Sequence, residues 1–172
     1  QKAIVIDEPG ATRDRNYMDC LWQNKPFTLI DTGGFEPASA ERIFVQMREQ
    51  TNLAIEEADV IVFLMDGKDG LTPSDMEIAK QLRGKNKNVF HVANKVDGER
   101  HTDLLSEFYR LGIDQLYPIS AQHGLGIDEL MAAVTRDFAT ARETAAEPDE
   151  EIKIAIVGKP NVGKSSLVNR IL

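Results

Sequence analysis

The chain has 172 residues, 42% of them hydrophobic, which is enough to bury one substantial core and argues for a single globular unit. A formal net charge of −8 argues against coating nucleic acid by bulk charge, while leaving local basic contacts open. The one cysteine, Cys20, excludes an intrachain disulfide and suggests a reducing compartment, and no apolar run approaches the ~18 residues of a membrane span, so a cytoplasmic protein is expected.

The sequence opens on Gln1, without a methionine and without the charged-then-apolar pattern of a signal peptide, which suggests a processed or fragmentary chain. Ala3 to Ile6 is a short apolar run stopped by Pro9-Gly10, and the loop Ala11-Thr12-Arg13-Asp14-Arg15 follows. Tyr17 to Trp22 and Phe27 to Ile30 alternate about Gln23-Asn24-Lys25, the pattern of a β-hairpin whose second strand runs into Asp31-Thr32-Gly33-Gly34. Residues 39–58 carry an irregular helical stripe.

Val60 to Met65 is continuously apolar, as a parallel strand covered on both faces must be, and Asp66-Gly67 closes it. Ser74 to Leu82 reads as a helix with Ser74 as N-cap and Glu77 completing a capping box. Val89 to Ala93 is the next buried strand and leads into Asn94-Lys95-Val96-Asp97; its His91 is expected to be a packed residue, not a ligand. Leu104 to Leu111 is a helix ended by Gly112, and Leu116 to Ile119 a strand leading to Ser120-Ala121. Asp128 to Ala141 is a further helix, after a glycine-rich loop whose His123 has no metal-spaced partner. Glu143 to Glu151 is acidic and interrupted by Pro148, the composition of a solvated linker.

The densest signal comes last. Ile152 to Val157 is an apolar strand that enters Gly158-Lys159-Pro160-Asn161-Val162-Gly163-Lys164-Ser165, the spacing G-x-x-x-x-G-K-S. Glycines at those two positions let backbone N–H groups converge on phosphate oxygens, with Lys164 reaching the terminal phosphates and Ser165 a Mg2+. The helix from Ser166 to Leu172 then points its N-terminal dipole at the anion. A glycine-containing turn without a ligand would satisfy composition equally well, but the full pattern is too long to arise readily by chance.

Strands alternating with helices after a hairpin describe an α/β fold: a mostly parallel sheet with one antiparallel edge strand and helices on both faces. Ligands in such sheets sit at the carboxyl ends of the strands, where every short motif above is found.

Asn94-Lys95-Val96-Asp97 resembles the N-K-x-D guanine-recognition motif of Ras-like GTPases, whose carboxylate accepts from the base N1–H and exocyclic amine. Ser120-Ala121 resembles the backbone contact to the guanine carbonyl, Asp31-Thr32-Gly33-Gly34 the D-x-x-G element beside Mg2+ and the γ-phosphate, and Thr12 the switch threonine that completes the Mg2+ shell. The wording of these motifs, from Pro9-Gly10-Ala11-Thr12-Arg13-Asp14-Arg15 to Gly158–Ser165, is similar to that of the Der (EngA) GTPases. That resemblance implies a Ras-like P-loop GTPase sheet, GTP or GDP with Mg2+ as ligand, hydrolysis of GTP, and a part in assembling the large ribosomal subunit. It divides the chain into residues 1–139 as a first G domain without its own P-loop, an acidic linker at 140–150, and residues 151–172 as the start of a second G domain. Phe35 stands where Ras-like proteins carry a water-positioning glutamine, so water would be oriented by another group or by a cation; Asn161 resembles the asparagine that helps hold K+.

Two other readings remain open: a naturally permuted single-domain GTPase, and a non-hydrolysing nucleotide-sensing module that contacts the ribosome. In either case Ile152 to Val157 needs a partner, because so short a strand, loop and helix cannot order alone. It is expected to insert in parallel between the strands ending at Ile30 and Met65, within one chain or between two swapped chains. Lys164 would then lie near Asp31, with Asn94 and Asp97 across the same cleft.

Overall fold

Alternation and turn chemistry start the sheet at its antiparallel edge. The computed structural model describes residues 16–32, 51–98, 102–140 and 151–172. The expected run Ala3–Ile6, Thr12, Gly33, Gly34, Phe35 and the acidic linker lie outside them. Strands β1 (Asn16–Trp22) and β2 (Lys25–Asp31) pair with Trp22 opposite Lys25, and the two residues between them, Gln23 and Asn24, have φ of 47° and 65°. Two successive positive φ angles give a tight turn whose twist matches the strands.

The fully buried strand β3 (Val60–Asp66) follows helical residues 51–57. Next come α1 (Pro73–Arg83), β4 (Asn88–Asn94), α2 (Thr102–Phe108) with a 3-10 turn at Tyr109–Leu111, β5 (Leu116–Pro118) and α3 (Ile127–Val134). β6 (Lys153–Val157) and α4 (Lys164–Ile171) complete the elements. The sheet order is β1-β2-β6-β3-β4-β5, and every pair except β1-β2 is parallel.

β6, distant in sequence, therefore occupies the centre. Ile154 pairs with both Leu29 and Val60, and Ile156 with Asp31 and Val62. Strict alternation assigns its side chains to two cores. Ile154 and Ile156 join Leu29, Val62 and Leu64 under α3 and α4. Ala155 and Val157 join Ile30, Ile61, Phe63 and Met65 on the other face, with residues 54, 55 and 58, α1 and α2. Both faces of the strand are dry, as a central parallel strand requires. Its entry is pinned by Thr28 N–H to the Ile152 carbonyl and Asp59 N–H to the Lys153 carbonyl, both 2.8 Å, and by Lys153 Nζ on Glu57 at 3.0 Å.

Several element boundaries differ from the sequence reading, among them the start of α2 at Thr102 instead of Leu104, and three differences have a visible local cause. Helix α1 is capped by Thr72, not Ser74: Thr72 Oγ1 accepts from Asp75 N–H while the Asp75 carboxylate takes the Thr72 N–H, and Pro73 presets the first helical φ. Helix α3 stops at Val134, well short of Ala141, where Thr135 turns its hydroxyl back onto the Met131 carbonyl at 2.8 Å. Helix α4 begins at Lys164, two residues early, because Gly163 with φ of 96° serves as its N-cap.

Cys20 packs in the α3–α4 core, and burial pushes its thiol up to about 11, so it stays a neutral apolar residue at physiological pH. His91 stacks edge-on against Phe63 with centroids 6.0 Å apart; burial, aided by the Arg83 cation, holds its pKa below the ordinary 6.5. The unfolded chain therefore takes up a proton near pH 6.5 that the folded chain refuses. The stability His91 contributes is complete above that pH and is lost as pH falls through the interval below it. Thermal melts at pH 7 and pH 5 are expected to show a larger drop in Tm for the wild type than for His91→Gln.

Candidate functional site

The carboxyl ends of β2, β6, β3, β4 and β5 converge on one cleft. The glycine-rich loop leaves β6 at Gly158, where φ is 159° and a Cβ would collide with the Leu64 carbonyl of β3. Gly163 carries φ of 96°, and a Cβ there would collide with Asn94 Nδ2. Glycine at both positions is thus imposed by the neighbours as well as by the turn. Between them Pro160 and Asn161 are exposed, Asn161 with φ of 63°, and Val162 is buried. Ser165 and Ser166 are exposed in the first turn of α4.

Lys164 folds back over the loop, its Nζ donating to the Gly158 and Lys159 carbonyls at 3.0 Å each. The residue is only 7% exposed; burial pulls its pKa below the ordinary range, and the nearby Asp31 carboxylate opposes that fall. Asp31 is buried at the end of β2, and the Thr32 hydroxyl beside it donates to the Ile156 carbonyl at 2.8 Å.

Asn94 holds three segments together. Its Nδ2 donates to the Val162 carbonyl at 2.7 Å, and its Oδ1 accepts from the Ala121 N–H at 2.9 Å, both in buried surroundings. Lys95, in the left-handed region at φ of 68°, sends its ammonium to Asp66 at 2.5 Å. Asp97 stands at the rim. Its Oδ1 accepts from the Ser120 hydroxyl at 2.7 Å, its Oδ2 meets Lys68 Nζ at 2.5 Å, and His123 Nε2 lies 3.9 Å from Oδ1. Hydrogen bonds from Lys68 and then Ser120 hold the Asp97 carboxyl below the usual carboxylate range.

The structure thus brings together the Gly158–Ser166 loop, Asp31, Thr32, Asn94, Lys95, Asp97, Ser120 and Ala121, whereas Thr12, Gly33, Gly34 and Phe35 lie outside the described residues. It also adds three residues that motif reading passed over as a strand ending. Asp66 is the last residue of β3, Lys68 and Asp69 lie in the turn after it, and each pairs with a motif residue: Asp66 with Lys95, Lys68 with Asp97, and Asp69 with Lys159 at 3.1 Å. Burial alone would raise the Asp66 carboxyl, but Lys95 and the amides of Lys68 and Asp69 carry it below its usual range. The available signal was charge density: Asp-Gly-Lys-Asp directly after a fully apolar strand.

A family model described as "50S ribosome-binding GTPase" matches residues 1–95 and 153–172, more than half of the chain. The chain belongs to this GTPase family. Among relatives, a GTPase Der of Syntrophotalea carbinolica is 56% identical over 172 residues, and one of Geotalea daltonii is 54% identical over 173; each alignment takes in all of this chain and 39% of the relative. The chain spans about two fifths of the length of these curated relatives. Among solved structures, Era in complex with MgGDPNP and a segment of 16S ribosomal RNA matches at 31% identity and a TM-score of 0.62, covering 78% of this chain and 48% of that one. The likeness extends the family assignment to a Ras-like P-loop sheet. Among the described residues no helix is long and apolar enough to cross a membrane.

Asn94 is the cross-brace here. Asn94→Ala leaves the Val162 carbonyl and Ala121 N–H buried without partners, and is expected to cost about 2–4 kcal/mol of unfolding free energy, measured by urea denaturation.

Proposed function

We propose that the chain binds a guanine nucleotide with Mg2+ in this cleft and hydrolyses GTP, as part of a Der-type GTPase that works in the cytoplasm on assembly of the large ribosomal subunit. The observation that carries the reading is the central position of β6, with the phosphate-binding loop held by Asn94 on one side and Lys164 within the field of Asp31 on the other.

On this reading the Gly158–Ser166 amides and Lys164 bind the phosphates, and Asn94, Lys95, Asp97, Ser120 and Ala121 form the guanine end. Asp97 selects guanine because a carboxylate needs two donors side by side, and a base without them leaves it unpaired. The Ala121 N–H already serves Asn94, so any contact it makes to the base carbonyl would be shared. The Asp31 carboxylate at the end of β2 and the Ser165 hydroxyl in the first turn of α4 are hard oxygen donors, which suit Mg2+, an ion that keeps several waters and takes phosphate oxygens beside one or two carboxylates. Ser165, Asp31 and Thr12 would supply those ligands, and the ion would neutralise charge developing on the phosphates. With Phe35 at the position after the Asp31–Gly34 element, catalysis rests on positioning and electrostatics, with K+ near Asn161 as the proposed extra cation.

The same family model matches two separated stretches, 1–95 and 153–172, which supports assigning residues 1–139 and 151–172 to successive G domains joined by 140–150. Exchange of 151–172 between two copies would rebuild the same cleft twice, so we extend the reading to domain-swapped self-association.

Titration with GDP and XDP tests the guanine end: Asp97→Asn is expected to weaken GDP about tenfold or more and to improve XDP, whose C2 oxygen suits an amide donor. Unchanged GDP affinity would remove Asp97 from the site. Single-turnover GTP hydrolysis in K+ and in Na+ tests the chemistry: faster turnover in K+ is expected, and GTP binding without turnover in either salt would favour the non-hydrolysing module. Lys164→Ala is expected to abolish tight nucleotide binding in calorimetry.

A further inference from the structure

The turn after β3 carries a residue whose chemistry conflicts with base recognition as it stands. Lys68 lies outside the four motif stretches, yet its ammonium sits 2.5 Å from Asp97 Oδ2, while Ser120 occupies Oδ1. A carboxylate that reads guanine must offer both oxygens, in its own plane, to two donors. An ammonium in contact with one of those oxygens competes with a base donor for it.

We propose that Lys68 competes with the base for Asp97, so that a guanine nucleotide binds only by displacing the ammonium from the carboxylate. The inference rests on the guanine-site reading above and deepens it. A base with two adjacent donors replaces what the carboxylate gives up, so the competitor lowers the net gain from that pairing without abolishing it.

The backbone around Lys68 makes displacement a side-chain event. Asp66 Oδ1 accepts from the Lys68 N–H at 2.9 Å and the Asp69 N–H at 3.3 Å, and its other oxygen is held by Lys95. Gly67 N–H donates to the Asn94 carbonyl at 2.7 Å, and Asp69 is tied to Lys159. With the turn pinned by these five contacts, release of Asp97 needs only rotation of the flexible four-carbon stem. The Lys68 side chain is 47% exposed, so the freed ammonium regains water, and the competing pair is weak enough to be overcome. Arginine would compete equally as a cation; methionine has the stem without the charge.

The test is mant-GDP affinity at low and high salt for the wild type, Lys68→Met and Lys68→Arg. Competition predicts that Lys68→Met binds about 1.5- to 5-fold tighter than wild type at ~50 mM salt, the range set by a partly exposed ion pair. The gap should close by ~1 M salt, where charges are screened within about 3 Å, and Lys68→Arg should follow the wild type. A purely structural role for Lys68 would instead weaken binding in Lys68→Met. Equal or weaker binding by Lys68→Met at low salt overturns the proposal while leaving the guanine site intact. Absence of mant-GDP binding by all three proteins overturns the guanine site, and the competition with it.

Discussion

Strands β2 and β3 each present a hydrogen-bonding edge to the middle of the sheet, and β6 satisfies both at once. Unpaired backbone groups at the centre of a buried sheet carry the full cost of lost hydrogen bonds, so the rest of the molecule depends on this insertion. Its side chains belong to both hydrophobic clusters, as do those of β3 beside it, so these two central strands join the core under α3 and α4 to the core under α1 and α2. The phosphate-binding loop is the direct continuation of that strand. Whatever orders β6 therefore also aims Gly158 to Ser165 into the cleft.

The cleft is assembled by a second layer of interactions that are polar and nearly all cross-segment. Asn94 links β4, the loop after β6 and the loop after β5 by two buried hydrogen bonds, which are directional and leave little freedom in how the three approach. Around it, the turn at Asp66 to Asp69 makes ion pairs to Lys95, Asp97 and Lys159. Only the first involves a buried carboxylate; the others are exposed enough to exchange with solvent or ligand. The site thus combines a rigid buried brace with adjustable charges at its rim, a division suited to binding a nucleotide that must also leave.

Family membership adds a constraint on how these parts arose. The family model matches before and after a gap, and the long relatives align along the whole chain, yet the segment 153–172 completes a sheet formed by residues 16–118. On the two-domain assignment proposed above, homologous G domains use equivalent strands, so the period, length and apolar character of a strand from one suit the sheet of another. Compatibility of that kind is the physical basis of strand exchange.

Local pattern was sufficient for most of the elements. The hairpin about Gln23-Asn24, the apolar strands at Val60 and Val89, the Gly112 helix stop and the strand entering Gly158 were legible because period, turn residues and apolar runs are properties of neighbouring residues. The insertion of β6 was also within reach, since an isolated 22-residue segment must find a partner and the sheet had one obvious vacancy between β2 and β3. The cap at Thr72 and the early end of α3 at Thr135 were not, because Ser and Thr positions compete for the same role and side-chain geometry decides between them. Nor were the pairings of Asp66, Lys68 and Asp69. A charge shows in sequence, but its partner lies 29 to 90 residues away and is chosen only when the strands align, so tertiary structure alone determined which charges meet.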